Sequence, residues 1–202
     1  MAQKKHYNEK LDYGSFYHIY NRSIDRQLLF KSEENYLFFL NQYNKYLTPF
    51  VDTYAYCLLG NHFHLLIRIK EENPLNVFDI KEKSAHDIIA HQLQKFFQSY
   101  AMAFNKQHKR IGSLFQKPFK RTWVDKEDYL IKIIHYIHFN PQKHGLIDDF
   151  RNWKWSSYKR MLIDKPTLKK RKLLNGLVIK KAILNFITYG LELLTFKKLA
   201  TL

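Results

Sequence analysis

The chain has 202 residues, of which 46% are hydrophobic, so it can bury the core of one substantial domain, and its composition excludes intrinsic disorder. Its 34 Lys and Arg outnumber 18 Asp and Glu, and the formal charge of +16 favours a nucleic-acid partner over an anionic membrane or a generally basic surface. The chain has no apolar run of about 18 residues, no secretory signal and a single cysteine, Cys57, which together favour a cytoplasmic protein without membrane spans or internal disulfides.

The first third of the chain predicts a strand, a helix and a hairpin. Residues 15–21, SFYHIYN, are rich in aromatic and β-branched side chains and predict a strand. Residues 31–47 predict a helix, because Ser32 can cap it and apolar side chains follow at helical spacing. Two apolar runs, 51–59 and 62–70, flank a Gly-Asn pair and predict a hairpin with its turn at that pair.

The middle of the chain continues with a loop, a long helix and another strand. Residues 71–83 predict a loop with a short turn of helix, and residues 85–109 carry one apolar stripe typical of an amphipathic helix. Residues 110–124 predict a loop followed by a strand. With the helix that follows, the order β-α-β-β-α-β-α favours an α+β sandwich, with helices packed on one face of a mostly antiparallel sheet.

The last predicted helix of this unit covers residues 125–141. Asp125 is the predicted N-cap, and Asp128 stands at the position of a capping-box acid. Pro141 is predicted to end the helix, because a proline disfavours helical geometry at the residue before it.

The composition divides the chain into three parts. Residues 1–10 form a basic tail, residues 11–160 contain all the elements above, and residues 161–202 predict a basic helical extension. Five Lys and Arg fall within residues 165–172, and an amphipathic pattern follows them.

Two histidines interrupt the apolar strand of residues 62–70. Alternation along a strand puts His62 and His64 on one face and Phe63 and Leu65 on the other. We expect the apolar face to meet the core and the histidine face to lie away from it. Two such imidazoles can converge on one divalent cation, although hydrogen-bonded sheet histidines would show the same spacing.

The helix of residues 125–141 contains a second pair of candidate residues. Tyr136 and Asn140 are four residues apart, so they lie on one face at the margin of the apolar stripe. The amide oxygen of Asn140 with two imidazoles suits Mg²⁺ or Mn²⁺ better than a structural zinc. The alternatives are that Tyr136 is a half-buried core tyrosine and that Asn140 is an ordinary residue at the helix terminus.

Five segments, taken in order, resemble the single-tyrosine HUH transposases, and in particular the branch of REP-associated tyrosine transposases. The segments are SFYHIYNRSIDRQLLF, AYCLLGNHFHLLI, GSLFQKPFKRTWVDKEDYL, YIHFNPQKHGL and WKWSSY, and they run from about Tyr13 to Tyr158. The resemblance implies a ferredoxin-like sheet with helices on one face and a nucleoid-associated enzyme. It implies that His62, His64 and Asn140 bind a divalent metal and that Tyr136 is the nucleophile.

The activity implied by this resemblance is the cleavage and rejoining of single-stranded or hairpin DNA through a 5′-phosphotyrosine intermediate. Two alternatives stay open: a catalytically inactive protein that binds DNA hairpins, and a two-histidine nuclease that uses water. The sequence leaves open whether the protein acts as a monomer or a homodimer.

Candidates for contact with DNA are spread over several loops. The basic and amide side chains are expected to contact phosphates, although a solvated basic loop is the alternative for each. Trp155 alternates with another tryptophan in a pattern suited to stacking on unpaired bases, or to core packing. The phosphate-contact candidates are Asn21, Arg22, Arg26, Lys109, Arg110, Lys117, Lys120, Arg121 and Lys143.

Overall fold

A computed structural model describes residues 9–71 and 84–162 of the chain. The predictions for residues 1–8, 72–83 and 163–202, which include most of the two basic ends, lie outside the described residues. Within the described ranges, no helix is both long enough and apolar enough to cross a membrane.

Four strands form one antiparallel sheet in the order β2-β3-β1-β4. The strands are β1 (Phe16–Arg22), β2 (Val51–Leu59), β3 (His62–Ile69) and β4 (Lys120–Val124). The predicted hairpin is confirmed, because β2 and β3 are joined by the two residues Gly60-Asn61. Both central strands, β1 and β3, alternate aromatic or aliphatic side chains with polar ones, so each can present two different faces.

Two helices cover one face of this sheet. Helix α1 (Glu33–Tyr46) and helix α2 (Ala85–Gln107) pack against each other and against the apolar side of β3. Phe39 from α1 lies 5.0 Å from Phe63 of β3 and 4.8 Å from Phe96 of α2, measured between ring centroids. This aromatic contact forms the centre of the larger apolar core.

Helix α3 (Glu127–Lys143) packs on the opposite face of the sheet. Its apolar stripe, including Ile134 and Ile137, meets Cys57 of β2 and Leu66 of β3 in a second core. The predicted α+β class with an antiparallel, ferredoxin-like sheet is therefore confirmed, but the expectation that helices cover only one face is wrong. Apolar residues of β2 and β3 continue the histidine face, and burial of this apolar surface favours the packing of a third helix.

The first turn of α3 differs from the prediction. The N-cap residue is Lys126 and makes no side-chain capping bond, so the capping box expected from Asp125 and Asp128 does not form. Glu127 and Asp128 nevertheless stand in the first turn, where negative charge interacts favourably with the helix dipole.

The end of α3 also differs, because Pro141 lies inside the helix. The helix ends instead at Lys143, and Gly145 follows the C-cap His144 with a φ of 67° that a glycine adopts without steric cost. The amides of Gly145 and Leu146 donate to the carbonyls of Gln142 and Pro141, which is the pattern of a Schellman motif. In the last turn the proline removes only one intrahelical bond, so a stronger stop signal farther along the chain decides where the helix ends.

Candidate nucleic-acid cleavage site

The pairing of β1 with β3 surrounds the two histidines with polar and aromatic side chains. Tyr20 is the register partner of His64, and Arg22 is the partner of His62. Directly paired residues of antiparallel strands project from the same face of the sheet, and His18 joins them because it lies two residues from Tyr20. The rings of His18 and Tyr20 stack with centroids 4.8 Å apart.

Helix α3 brings Tyr136 to this group. The Tyr136 ring lies edge-on to His64, with centroids 5.4 Å apart, and edge-on to His18 at 6.1 Å. The rings of His62 and His64 are 5.3 Å apart. The phenol of α3 and the histidine pair of β3 therefore form one cluster at the seam between the helix and the sheet, and we call the space beside Tyr136, His62 and His64 the pocket. The resemblance to single-tyrosine transposases led us to expect this arrangement, whereas the chemical roles of these residues stay predictions.

The C-terminal end of α3 forms the rim of this pocket. The Lys143 ammonium lies 5.2 Å from the centroid of the Tyr136 ring, and the His144 ring lies 5.1 Å from that of His62. An exposed cation next to the phenol is well placed to meet an anionic phosphate.

Each histidine of the pair is held through its Nδ1 atom. The Nδ1 of His62 lies 2.7 Å from Oδ1 of Asn61, and the Nδ1 of His64 lies 2.9 Å from Nε2 of His18. These contacts leave Nε2 of each ring as the atom that can bind a metal.

Burial keeps these imidazoles neutral. Burial, together with the nearby His144 and Arg22, lowers the pKa of His62 to about 4. Burial likewise lowers the pKa of His18 to about 3 and that of His64 well below its usual value, where His18 is the largest additional cause. A neutral imidazole is the form that binds metal ions, so the pair is ready to bind one at pH 7.

Asn140 supplies an oxygen that the protein leaves unpaired. Its side chain is fully buried, and its Nδ2 donates to the carbonyl of Tyr136 over 2.7 Å. Its Oδ1 atom has no hydrogen-bond partner within the described part of the chain. A buried acceptor without a partner costs about 1–3 kcal/mol and is characteristic of a site that binds water or an ion.

These observations fit a hard divalent cation bound by two imidazoles and one amide oxygen. No group of three His, Cys, Asp or Glu side chains suited to a metal occurs in residues 9–71 and 84–162. A site made of His62, His64 and Asn140 would supply only three ligands, so it would leave coordination positions for oxygens of a substrate.

Three of the predicted DNA-contacting residues lie around this pocket. Arg22 and Lys143 border the histidines and Tyr136, and Lys120 of β4 lies with its ammonium 5.9 Å from the centroid of the Tyr20 ring. We call these three side chains the basic rim.

Two of the other candidates lie away from the pocket. Asn21 faces the opposite side of the sheet, is buried, and donates to the carbonyl of Gln116, so the predicted phosphate contact is wrong and its role is to anchor a loop. Lys117 lines a separate groove of about 980 Å³ between α2 and residues 112–119. The remaining basic candidates, which stay predictions, are Arg26, Lys109, Arg110 and Arg121.

Trp155 belongs to the core rather than to an exposed stacking surface. Its ring stacks on Tyr36 of α1, with centroids 4.3 Å apart and planes 9° apart, and only 9% of the residue is exposed. The prediction that this ring stacks on unpaired bases is therefore wrong, because Tyr36 covers its face.

Sequence reasoning favoured a sheet-packing role for His18 over a place near the site, and gave Asn61 only a turn position. His18 lies 46 residues from its partner His64, and no local pattern predicts such a contact. Asn61 offered a signal, because a short hydrogen-bonding side chain directly precedes His62, but its turn position explained it without a functional role.

A curated protein and a solved structure are similar to this chain. No protein-family model matches the chain. A curated relative from Haemophilus influenzae, provisionally named a REP-associated tyrosine transposase, is 29% identical over 112 residues. The match spans 55% of this chain and 61% of the relative, which is less than two thirds of its length.

A solved structure supports the same fold. The structure of a REP-associated tyrosine transposase bound to a REP hairpin aligns with a TM-score of 0.55 and 16% identity, covering 80% of this chain and 86% of that one. A bacterial tRNA(His) guanylyltransferase-like protein in complex with GTP aligns at a TM-score of only 0.43, with 10% identity over 73% of this chain and 74% of that one. The resemblance to REP-associated tyrosine transposases is therefore confirmed, and at 16% identity the solved structure establishes the fold alone.

Proposed function

We propose that this chain is a metal-dependent DNA transposase that cleaves and rejoins single-stranded or hairpin DNA through a 5′-phosphotyrosine intermediate. The observation that carries the proposal is the packing of the Tyr136 ring against His64, 5.4 Å away between centroids, in a pocket with a basic rim. The name of the curated relative and the REP hairpin bound to the solved transposase support the substrate class.

In the proposed reaction, the Tyr136 oxygen attacks the scissile phosphorus. A bond forms between phosphorus and tyrosine, and the bond from phosphorus to the 3′-oxygen breaks. Tyr136 loses its proton and the leaving oxygen gains one, so one fragment ends in a 3′-hydroxyl and the other is attached to the protein through its 5′-phosphate. Because one phosphodiester replaces another, a 3′-hydroxyl can reverse the step without ATP.

The chain contributes binding and positioning to this reaction. A divalent cation, Mg²⁺ or Mn²⁺, held by His62, His64 and Asn140 would supply Lewis-acid stabilisation of charge on the phosphate oxygens. Lys143, exposed beside the phenol, binds a neighbouring phosphate and orients the strand toward Tyr136. The partly buried phenol of Tyr136 keeps its orientation by packing against His18 and His64.

The proposal is tested by incubating the protein with Mn²⁺ and end-labelled hairpin DNA that carries single-stranded flanks. A denaturing gel should show a fragment linked to the protein, and Tyr136→Phe should abolish it. Tyr129→Phe is the matched control, because Tyr129 lies on the same helix and is partly exposed. We expect this control to form the adduct at the normal rate.

Each alternative function predicts a different gel. Cleavage that persists in Tyr136→Phe without an adduct indicates a nuclease that uses water. Tight hairpin binding without cleavage by the unmodified protein indicates a binding protein, and either result overturns the proposed reaction.

A further inference from the structure

The structure assigns His18 and Asn61 as positioning residues that fix the tautomers of the two metal-binding histidines. Each accepts a hydrogen bond from the Nδ1–H of one histidine and thereby keeps a lone pair on Nε2. The inference rests on the proposed function, since it concerns the metal that His62 and His64 would hold.

The contact between Asn61 and His62 has only one possible direction. Oδ1 of Asn61 is a carbonyl oxygen and can only accept, so His62 must donate from Nδ1 over the 2.7 Å between the two atoms. A neutral imidazole carries one N–H, and the proton on Nδ1 leaves Nε2 as a lone pair. Asn61 therefore specifies the tautomer in which His62 binds metal through Nε2.

The contact between His18 and His64 has two possible directions. If His18 donated from Nε2, the proton of His64 would sit on its own Nε2, and that atom could not bind a metal. Metal binding through Nε2 requires the reverse, in which His64 donates from Nδ1 over 2.9 Å and His18 accepts. His18 must then carry its own proton on Nδ1.

The surroundings hold His18 in this orientation. Only 5% of His18 is exposed, and its ring stacks on Tyr20 with centroids 4.8 Å apart. The His18 and His64 rings are within 22° of parallel with centroids 5.1 Å apart, which is the edge-to-edge arrangement of two hydrogen-bonded imidazoles. Burial and the stacked Tyr20 ring oppose rotation of the imidazole, so its Nε2 stays aimed at His64.

Asn140, the third proposed ligand, is also oriented by a hydrogen bond within the protein. Nδ2 of Asn140 donates to the Tyr136 carbonyl, and this bond fixes which end of the amide faces outward as the unpaired Oδ1. In each of the three proposed ligands, one polar atom of the side chain thus forms a hydrogen bond within the protein, and the other polar atom is available to bind the metal. Such outer contacts orient ligands and typically change metal affinity by about 10–100-fold when removed.

The direct test is the tautomeric state measured by long-range ¹⁵N–¹H NMR on the full chain with saturating Mg²⁺, in the absence of DNA. The spectrum should show protonated Nδ1 and unprotonated Nε2 for His62 and His64, and protonated Nδ1 for His18. A proton on Nε2 of His62 or His64 overturns the inference without any variant having to fold.

Matched substitutions provide the second test. His18→Gln and Asn61→Asp retain an acceptor oxygen, whereas His18→Leu and Asn61→Leu have similar volumes without one. We expect each leucine variant to weaken Mn²⁺ binding, measured by electron paramagnetic resonance, by about 10–100-fold. The acceptor variants should stay within a few-fold of the unmodified protein, and equal affinities across each pair would overturn the inference.

These readouts separate the inference from the proposed function. If the unmodified protein shows the expected tautomers and variant pattern but forms no DNA adduct, the inference stands and the proposed function fails. If the adduct forms normally while both leucine variants bind Mn²⁺ as tightly as their acceptor counterparts, the function stands and the inference fails.

Discussion

The two faces of the sheet are built from the same strands but have different compositions. On the face under α1 and α2, β3 presents Phe63, Leu65, Ile67 and Ile69, all nearly inaccessible to solvent. On the other face, Leu66 lies in the apolar contact with α3, while the histidines lie where the apolar stripe of that helix ends.

This difference shows how one strand can serve stability and chemistry together. The α1–α2 face gains its stability from continuous apolar burial. The α3 face combines a smaller apolar core with buried polar groups, which lower stability unless they bind something. Mutations one residue apart on β3 should therefore have different consequences.

Of the substitutions that compare the two faces of the sheet, replacing His64 should have the largest effect on activity. We expect His64→Ala to slow formation of the protein–DNA adduct by on the order of 1,000-fold, or roughly 4 kcal/mol of transition-state stabilisation, because a metal ligand is lost. The thermal unfolding midpoint should change by only a few degrees. Single-turnover gels and a melting curve measure both effects, and an adduct rate near normal would contradict the proposed site.

Replacing Phe63, which is next to His64 in β3 but on the other face of the sheet, should lower stability and leave metal binding intact. Phe63→Ala removes a ring packed between Phe39 and Phe97 and should lower the free energy of unfolding by about 3–5 kcal/mol. Mn²⁺ affinity, measured well below the melting temperature, should stay within a few-fold. Loss of metal binding in the folded variant would show that the two faces are not independent.

Much of this division can be predicted from the sequence. A period of two places the histidines opposite Phe63, and the Gly-Asn pair sets the turn that begins β3. A period of 3.6 places Tyr136 and Asn140 together on α3. These are local regularities, and the structure retains them.

Lowering the pH should destabilise the α3 face of the sheet before the α1–α2 face. The buried histidines of the described chain are His18, His64 and His138, and all lie on the α3 side of the sheet. Burial lowers the pKa of His18 and that of His138 to about 3, compared with about 6.5 in an unfolded chain. Unfolding therefore takes up protons, and the stability that the neutral rings contribute is lost as the pH falls from about 6.5 to about 3.

Hydrogen exchange of backbone amides, compared between pH 7 and pH 4, measures this effect. Amides of α3 should lose protection before those of the centre of α2. Simultaneous loss of protection in both helices would contradict the expected difference between the faces.

The smallest expected effects come from the basic rim. Lys120→Ala and Lys143→Ala should each weaken hairpin binding and reduce the slope of log affinity against log salt by about 0.7–0.9, as expected for one lost phosphate contact. Lys45→Ala, in the last turn of α1, is the control and should leave the slope unchanged. A slope change for Lys45→Ala equal to that for Lys143→Ala would show that binding follows overall charge.

The features that the sequence did not reveal depend on contacts between distant residues. Periodicity finds the apolar stripe of α3 but not which face of the sheet it covers, and it cannot show that Tyr36 shields Trp155. The pairing of His18 with His64 likewise arises only when β1 and β3 align. The helix end was expected at Pro141 from the rule about residues preceding proline, whereas the observed C-cap is His144 and Gly145 follows it in a left-handed conformation.

The central claim is that Tyr136 and the histidine pair share one metal-binding pocket. Paramagnetic broadening of ¹³C-labelled tyrosine rings by Mn²⁺ tests it most directly, with the Tyr136 signal assigned through Tyr136→Phe. We expect stoichiometric Mn²⁺ to broaden the Tyr136 signal beyond detection and to have no such effect in a His62→Ala, His64→Ala double variant. A Tyr136 signal that stays sharp when the protein is saturated with Mn²⁺ would contradict the account.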